Sequence, residues 1–397
     1  MQFNSALFNQ LSIFLLNLIF ISLAFPSPPI TTIAIILFLL LGLKNIKTQK
    51  WSFYSKVFIG LSSIYFLSSL LSHILYDEVL WINQFTKNFY FLLLPIGFLL
   101  HADSINKKVK KDTLKLFAIS VLVFSFLGLL KIIYLHQLQL VNKIFYESYA
   151  QALKIHSTYY SLLVVIAFTY YINRFLSYTR KNKKILYFSA TIYLLAIAFL
   201  LSARIGLITI LIISVFSFFK QRKNIGKKTL ILFGLVFLGI SAIFFTGGYA
   251  AKRISNTVFK NEAGKSDSEN RLVLWQNVIC AYKKGPSNLL GGGLEKSQSR
   301  LNQCYKESGF FGYENKYNAH NQYLQNLMEN GVIGLLIIFS ILASVLYFSF
   351  KHDLIYLQYI SFIFILFFVT ESVLERQLGI TTFLAFVSLF IAAKNEN

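Results

Sequence analysis

Apolar runs of roughly 15–22 residues recur along almost the whole chain, and a soluble fold cannot bury that many of them. In lipid the backbone must satisfy its own hydrogen bonds, so such runs fold as spanning helices. The candidate spans are 7–25, 29–43, 53–75, 82–100, 114–135, 157–176, 185–202, 205–219, 229–247, 331–350, 354–370 and 378–393. This pattern of about twelve spans predicts an all-α polytopic membrane protein with one large, partly helical outer loop. Of the 397 residues, 56% are hydrophobic and only 14% charged, which leaves no soluble domain of ordinary size. Residues 7–25 lack a basic leader and a clear small-residue cleavage site, so they read as a retained span rather than a signal peptide.

A net charge of +22 would suit a nucleic-acid partner, but its distribution argues against one. The positive charges sit in short blocks between spans: Lys44/Lys47/Lys50, Lys107/Lys108/Lys110/Lys111, Arg180/Lys181/Lys183/Lys184 and Lys220/Arg222/Lys223/Lys227/Lys228. Short basic loops mark cytoplasmic connections and set orientation. If all four blocks lie inside, the chain between any two of them crosses an even number of times. Residues 185–219 then form two short spans that turn at "LLSARIGL", with Ser202 and Arg204 at the outer apex. The same parity puts Asp77-Glu78, residues 136–156, the segment from about Gly248 to Asn330, and Glu371–Gln377 outside. Both termini fall on the cytoplasmic side. By the positive-inside argument, the outer side is the periplasmic or extracellular one.

Chemistry-bearing residues collect on that outer side: Lys87, His156, Arg204, Arg271, His320 and Arg376. Charges at a membrane edge are costly and face a cavity or a partner, although an arginine at a span end can also snorkel as an anchor. The long outer loop, 248–330, holds both cysteines, Cys280 and Cys304. An oxidising compartment permits a bridge between them, and two separate buried thiols are the alternative. "RLVLWQNVICAYKK" reads as an interfacial amphipathic helix with Leu272, Trp275, Ile279 and Tyr282 at helical spacing. Gly291–Gly293 read as loop punctuation, with phosphate contact the weaker alternative because no Walker pattern accompanies them.

In "YNAHNQYLQNLMENGVIGLL", Asn318 is the expected N-cap of a helix carrying His320, Tyr323, Leu324 and Leu327 on one face. Glu329, nine residues after His320, falls about half a turn away on a straight helix and is not expected to pair with it. Asn330-Gly331 marks a break before the next span. A lone histidine there is ordinarily a packing residue.

The same stretch resembles the His-Asn-x-x-Leu…Glu-x-Gly-x-x-Gly signature of the O-antigen ligase/polymerase superfamily, through His320, Asn321, Leu324, Glu329, Gly331 and Gly334. "LLSARIGL" resembles that family's Ser-x-Arg segment, and "RLVLWQNVI…LLGGG" its Arg…Trp…Gly-x-Gly loop. The resemblance covers roughly 156–380, which divides the chain into N-terminal helices, 1–155, and a ligase-like core, 156–397. It implies a GT-C membrane glycosyltransferase that moves a glycan from a polyprenyl (undecaprenyl) diphosphate carrier, with inversion, to an acceptor hydroxyl. The acceptor is lipid A-core in a ligase of lipopolysaccharide biosynthesis and the next lipid-linked repeat in a polymerase. His320, Arg204 and Arg271 are then the catalytic candidates, with Lys87, His156, Asn321, Tyr323 and Arg376 as substrate contacts.

The residues agree with that chemistry independently. A departing diphosphate is stabilised by a metal or by fixed cations, and arginine suits phosphate through its bidentate fork. Convincing metal-ligand spacing is absent, because Asp77-Glu78 and Asp267-x-Glu269 read as solvated loop charge. The expectation is a metal-independent reaction without cofactor, in which cations hold the diphosphate and His320 takes the acceptor proton. A flippase or exporter of lipid-linked glycans is the rival class, but it would show internal repeats and midplane charges, and neither is evident. Within the transferase class, polymerase and protein oligosaccharyltransferase stand beside ligase, which the complete His-Asn to Gly-x-x-Gly signature favours.

Overall fold

The computed structural model describes residues 5–47, 49, 51–77, 86–144, 146–178, 180–221, 234 and 267–392. Apart from residue 234, the expected span 229–247 lies outside them, as do Lys50, Glu78, Arg222, Lys223, Lys227, Lys228 and residues 248–266 of the outer loop. The chain is an all-α polytopic membrane protein. Its helices are α1 (Ser5–Ala24), α2 (Pro28–Gly42), α3 (Phe53–Tyr76), α4 (Tyr90–Leu100), α5 (Lys107–Gln137), α6 (Glu147–Ala152) and α7 (Ser157–Ser177). They continue with α8 (Lys181–Leu201), α9 (Arg204–Gln221), α10 (Asp267–Lys283), α11 (Leu294–Glu307), α12 (Gln322–Lys351), α13 (Ile355–Thr370) and α14 (Gln377–Ile391). Among the described residues eight helices are long and apolar enough to cross a membrane: α1, α2, α3, α5, α7, α8, α9 and α12. The helices at Thr86–Leu100, Ile355–Thr370 and Gln377–Ile391 are apolar but shorter.

The chain forms two compact units. One comprises Met1–Phe117 with Val273–Asn397, and the other comprises Ala118–Leu272. In the second unit α7 is the central element, buried almost all round between α8 and α9. Gly206 of α9 sits against Ser161 of α7, and this small-on-small contact lets the two backbones approach closely. Tyr149 of the short α6 donates to the Ser125 carbonyl at 2.8 Å, tying that helix to α5.

In the first unit α3 packs along α12, and α14 is covered by α4, α13 and α1. The core is aromatic: Phe20 meets Phe98, Phe117 and Phe386 edge-on, with centroids 4.9–6.4 Å apart. His101 is fully buried between the rings of Phe8 and Phe38, with its Nε2 2.7 Å from the Phe38 carbonyl oxygen. Desolvation holds its pKa down to about 4, so it is neutral and serves packing.

The break expected at Gly331 is present inside α12, where its φ of 67° and ψ of −164° leave the helical region. Only glycine adopts that conformation readily. The backbone groups freed there find partners in the glycine-rich segment. Val332 N–H donates to Asn288 O at 3.0 Å, Ile333 N–H to Leu289 O at 3.1 Å, and Gly292 N–H to the Met328 and Glu329 carbonyls at 3.2 Å. A Cβ on Gly331 would strike the Leu289 carbonyl, and one on Gly291 the Glu329 carbonyl. Gly331→Ala is therefore expected to destabilise the protein by about 1–3 kcal/mol or more, read as a lower melting temperature of detergent-purified protein.

Candidate functional site

Polar groups of the first unit gather around the entrance to α12 and the turn between α13 and α14. His320 does not lie on a helix. It precedes α12 with a φ of 41°, an unusual conformation for a residue with a side chain. The expected N-cap is corrected by three residues: Asn321, not Asn318, caps α12, its Oδ1 accepting from the N–H groups of Tyr323 and Leu324 at 3.0 and 3.1 Å. Asn318 instead accepts the His320 N–H at 3.1 Å, holding the left-handed turn. Two asparagines three apart are equally good caps by type, and the turn between them decides which is used.

That turn aims the imidazole at a partner far away in sequence. His320 Nδ1 lies 3.2 Å from Glu371 Oε2, with side-chain exposures of 30% and 9%. A carboxylate only accepts, so Nδ1 carries the proton and Nε2 is left as the basic nitrogen. The Tyr317 ring stands perpendicular to the imidazole with centroids 5.5 Å apart.

Glu371 belongs to the turn between α13 and α14, and nearly every residue of that turn grips the site. Ser372 Oγ accepts the Asn321 N–H at 3.3 Å, and Gln322 Oε1 accepts the Leu374 N–H at 2.6 Å. Glu375 Oε2 meets Lys87 Nζ at 2.7 Å, so the Lys87 ammonium already has a counter-ion. Arg376 follows with an exposed side chain at the start of α14. Tyr323 is an α12 packing residue: it stacks on Phe339 at 5.0 Å and donates its hydroxyl to the Ile365 carbonyl at 3.2 Å. Asn321 Oδ1 is taken up by capping, which leaves its amide NH₂ for any substrate contact.

Glu329 does not pair with His320. Its carboxylate accepts from Gln325 Nε2 at 2.6 Å and is buried, and its carbonyl accepts from Ser72 Oγ at 2.7 Å. The glycine run is likewise engaged in structure rather than left open for phosphate. Gly293 N–H donates to Ser72 Oγ at 3.1 Å, and Asp77 accepts the next three N–H groups, of Leu294, Glu295 and Lys296, at 2.8–3.2 Å. Asp77, expected to be solvated loop charge, thus caps α11 and also pairs with His73. Arg300, which the sequence did not single out, donates from Nη2 to Gly292 O at 2.6 Å. Burial holds its guanidinium below the usual arginine pKa, opposed by the nearby Asp77 carboxylate.

Cys280 and Cys304 are joined in a disulfide that links α10 to α11. Glu307 lies beside them, but sulfurs bonded to each other are not thiolate ligands. The bridge sits over a buried cluster that includes Leu274, Val278, Ala281, Leu301, Tyr305 and Met328. The apolar stripe expected on α10 is corrected accordingly. Leu274, Val278 and Ala281 are buried and Trp275 packs against their cluster, while Leu272 is exposed, the helix being held by the cystine with this side against α11.

Arg204, His156 and Arg271 belong to the second unit. Arg204 opens α9 two residues after Ser202, whose φ of 50° makes the tight turn out of α8. His156 precedes α7, its ring 6.0 Å from that of Tyr159, and all three side chains are exposed.

Residues 189–339 match a family model described as O-antigen ligase. The matched region is under half of the chain, and it contains Arg204, Arg271, the cystine and His320 but ends before Glu371. It supports the resemblance to the O-antigen ligase superfamily and a ligase- or polymerase-type function in a multi-pass membrane protein. No curated protein matches the chain.

Proposed function

We propose that this O-antigen ligase-type chain transfers a glycan from a polyprenyl diphosphate carrier to an acceptor hydroxyl at the outer face of the inner membrane, with lipid A-core as acceptor. The pairing of His320 with Glu371 carries the reading. A half-exposed imidazole whose tautomer is fixed by a nearly buried carboxylate is a general base poised for a neutral hydroxyl. The base takes the acceptor proton as the oxygen attacks the anomeric carbon, and the sugar–diphosphate bond breaks on the opposite face, which gives inversion. The leaving diphosphate needs fixed positive charge. Arg376 is an exposed cation on the same turn as Glu371, while Arg204 and Arg271 are candidates for this role through the resemblance. Lys87 is a weaker candidate than its position suggested, because a phosphate would have to compete with Glu375.

Deleting the gene and separating the cell's glycolipids by size tests the assignment. Loss of a ligase leaves polymerised glycan on its carrier and bare core lipid. Core bearing single repeats would instead identify a polymerase, and an unchanged profile would refute both.

A further inference from the structure

The segment before His320 displays aromatic rings that packing covers only in part: Phe311 rests on Phe310 with centroids 4.6 Å apart, and Lys306 Nζ lies 5.7 Å from the Tyr313 ring centroid. Phe311 is 42% exposed and Tyr313 45% exposed, on a turn whose other ring, Phe310, is buried against Tyr305. The turn is well fixed. Tyr317 N–H donates to Gly312 O at 3.1 Å, Lys316 N–H to Tyr313 O at 3.3 Å, and Gln298 Nε2 to Tyr317 O at 3.1 Å. From it the rings continue edge to face toward the imidazole: Phe311 to Tyr317 at 5.8 Å, then Tyr317 to His320 at 5.5 Å. Between the rings in sequence stand Glu314, Asn315 and Lys316, all exposed.

We infer that this strip is a saccharide-binding subsite that holds the sugar chain of the acceptor. The inference rests on the transfer reading and deepens it. Pyranose rings carry an apolar C–H face and a rim of hydroxyls, so they suit exposed aromatic rings interleaved with hydrogen-bonding side chains. Exposed rings gathered in one place mark a binding surface more often than chance exposure does. A bilayer belt also uses aromatic residues, but three consecutive polar residues, two of them charged, suit a hydrated sugar better than an acyl chain. Continuity with His320 selects the acceptor over the donor. The base touches the attacking hydroxyl, so a surface running from the base into the loop follows the molecule that bears that hydroxyl. The donor's carrier, by contrast, must lie in the membrane.

The test uses full-length protein in nanodiscs, with lipid-linked glycan as donor and, as probe, core oligosaccharide released from the cell's own glycolipid by mild acid. Phe311→Ser combined with Tyr313→Ser is expected to raise the acceptor KM about tenfold while leaving kcat and the donor KM unchanged. Phe311→Trp should keep the wild-type value. Saturation-transfer NMR should also show contacts between the oligosaccharide and these rings in wild type. An unchanged acceptor KM would overturn the proposal. So would added tryptophan quenching by brominated lipid in Phe311→Trp relative to wild type, because the ring would then lie in the bilayer as an anchor. If wild type binds the oligosaccharide through these rings yet transfers nothing, the subsite stands and the transfer reading falls.

Discussion

His320→Ala is expected to lower the transfer rate by about 10²–10⁴-fold, the range that a positioned general base contributes. The variant should fold and insert normally. The imidazole is half-buried at the entrance to α12, its backbone turn is held by Asn318 rather than by the ring, and the cap of α12 comes from Asn321. Alanine keeps the left-handed turn at a φ of 41°, and any cost of that conformation falls on stability. A rate measured on protein with wild-type melting behaviour isolates the chemical role, and retained transfer would remove His320 as the base.

Glu371→Gln is the second large effect. The amide keeps the size of the carboxylate but can donate to Nδ1, which favours the opposite tautomer and withdraws Nε2 as the acceptor. The imidazolium formed during proton abstraction also loses its counter-charge. A fall in kcat of about 10–10³-fold is expected, with donor and acceptor KM little changed. Glu371→Asp, which keeps the charge on a shorter arm, should recover part of the loss. A variant with normal kcat, or one whose defect lies wholly in KM, would show that Glu371 only shapes the turn.

Much of this arrangement is legible in the sequence, for a simple reason. Parity between basic blocks places Lys87, His320 and residues 371–377 on one side without reference to contacts, and the structure joins them through the α13–α14 turn. The apolar runs announced the helices because lipid permits little else. The partner of His320 was not legible. Glu371 is 51 residues away, and helical geometry could only exclude Glu329, never nominate a residue from another turn. Nor could the left-handed turn at His320 be seen, since it depends on Asn318 and on Gln325, whose Oε1 accepts the Ala319 N–H at 2.9 Å. The glycine run looked like simple loop punctuation. Its reason is the gap in α12, which needs chain without side chains to supply the missing hydrogen bonds.

The most direct measurement is transfer by the purified full-length protein, reconstituted with lipid-linked glycan donor and core-lipid acceptor, with product and released polyprenyl diphosphate counted together. The account predicts one released carrier for each glycan joined to acceptor, and inverted stereochemistry at the new linkage. Movement of the intact lipid-linked glycan across the bilayer, with no carrier released, would contradict it and establish the transporter reading instead.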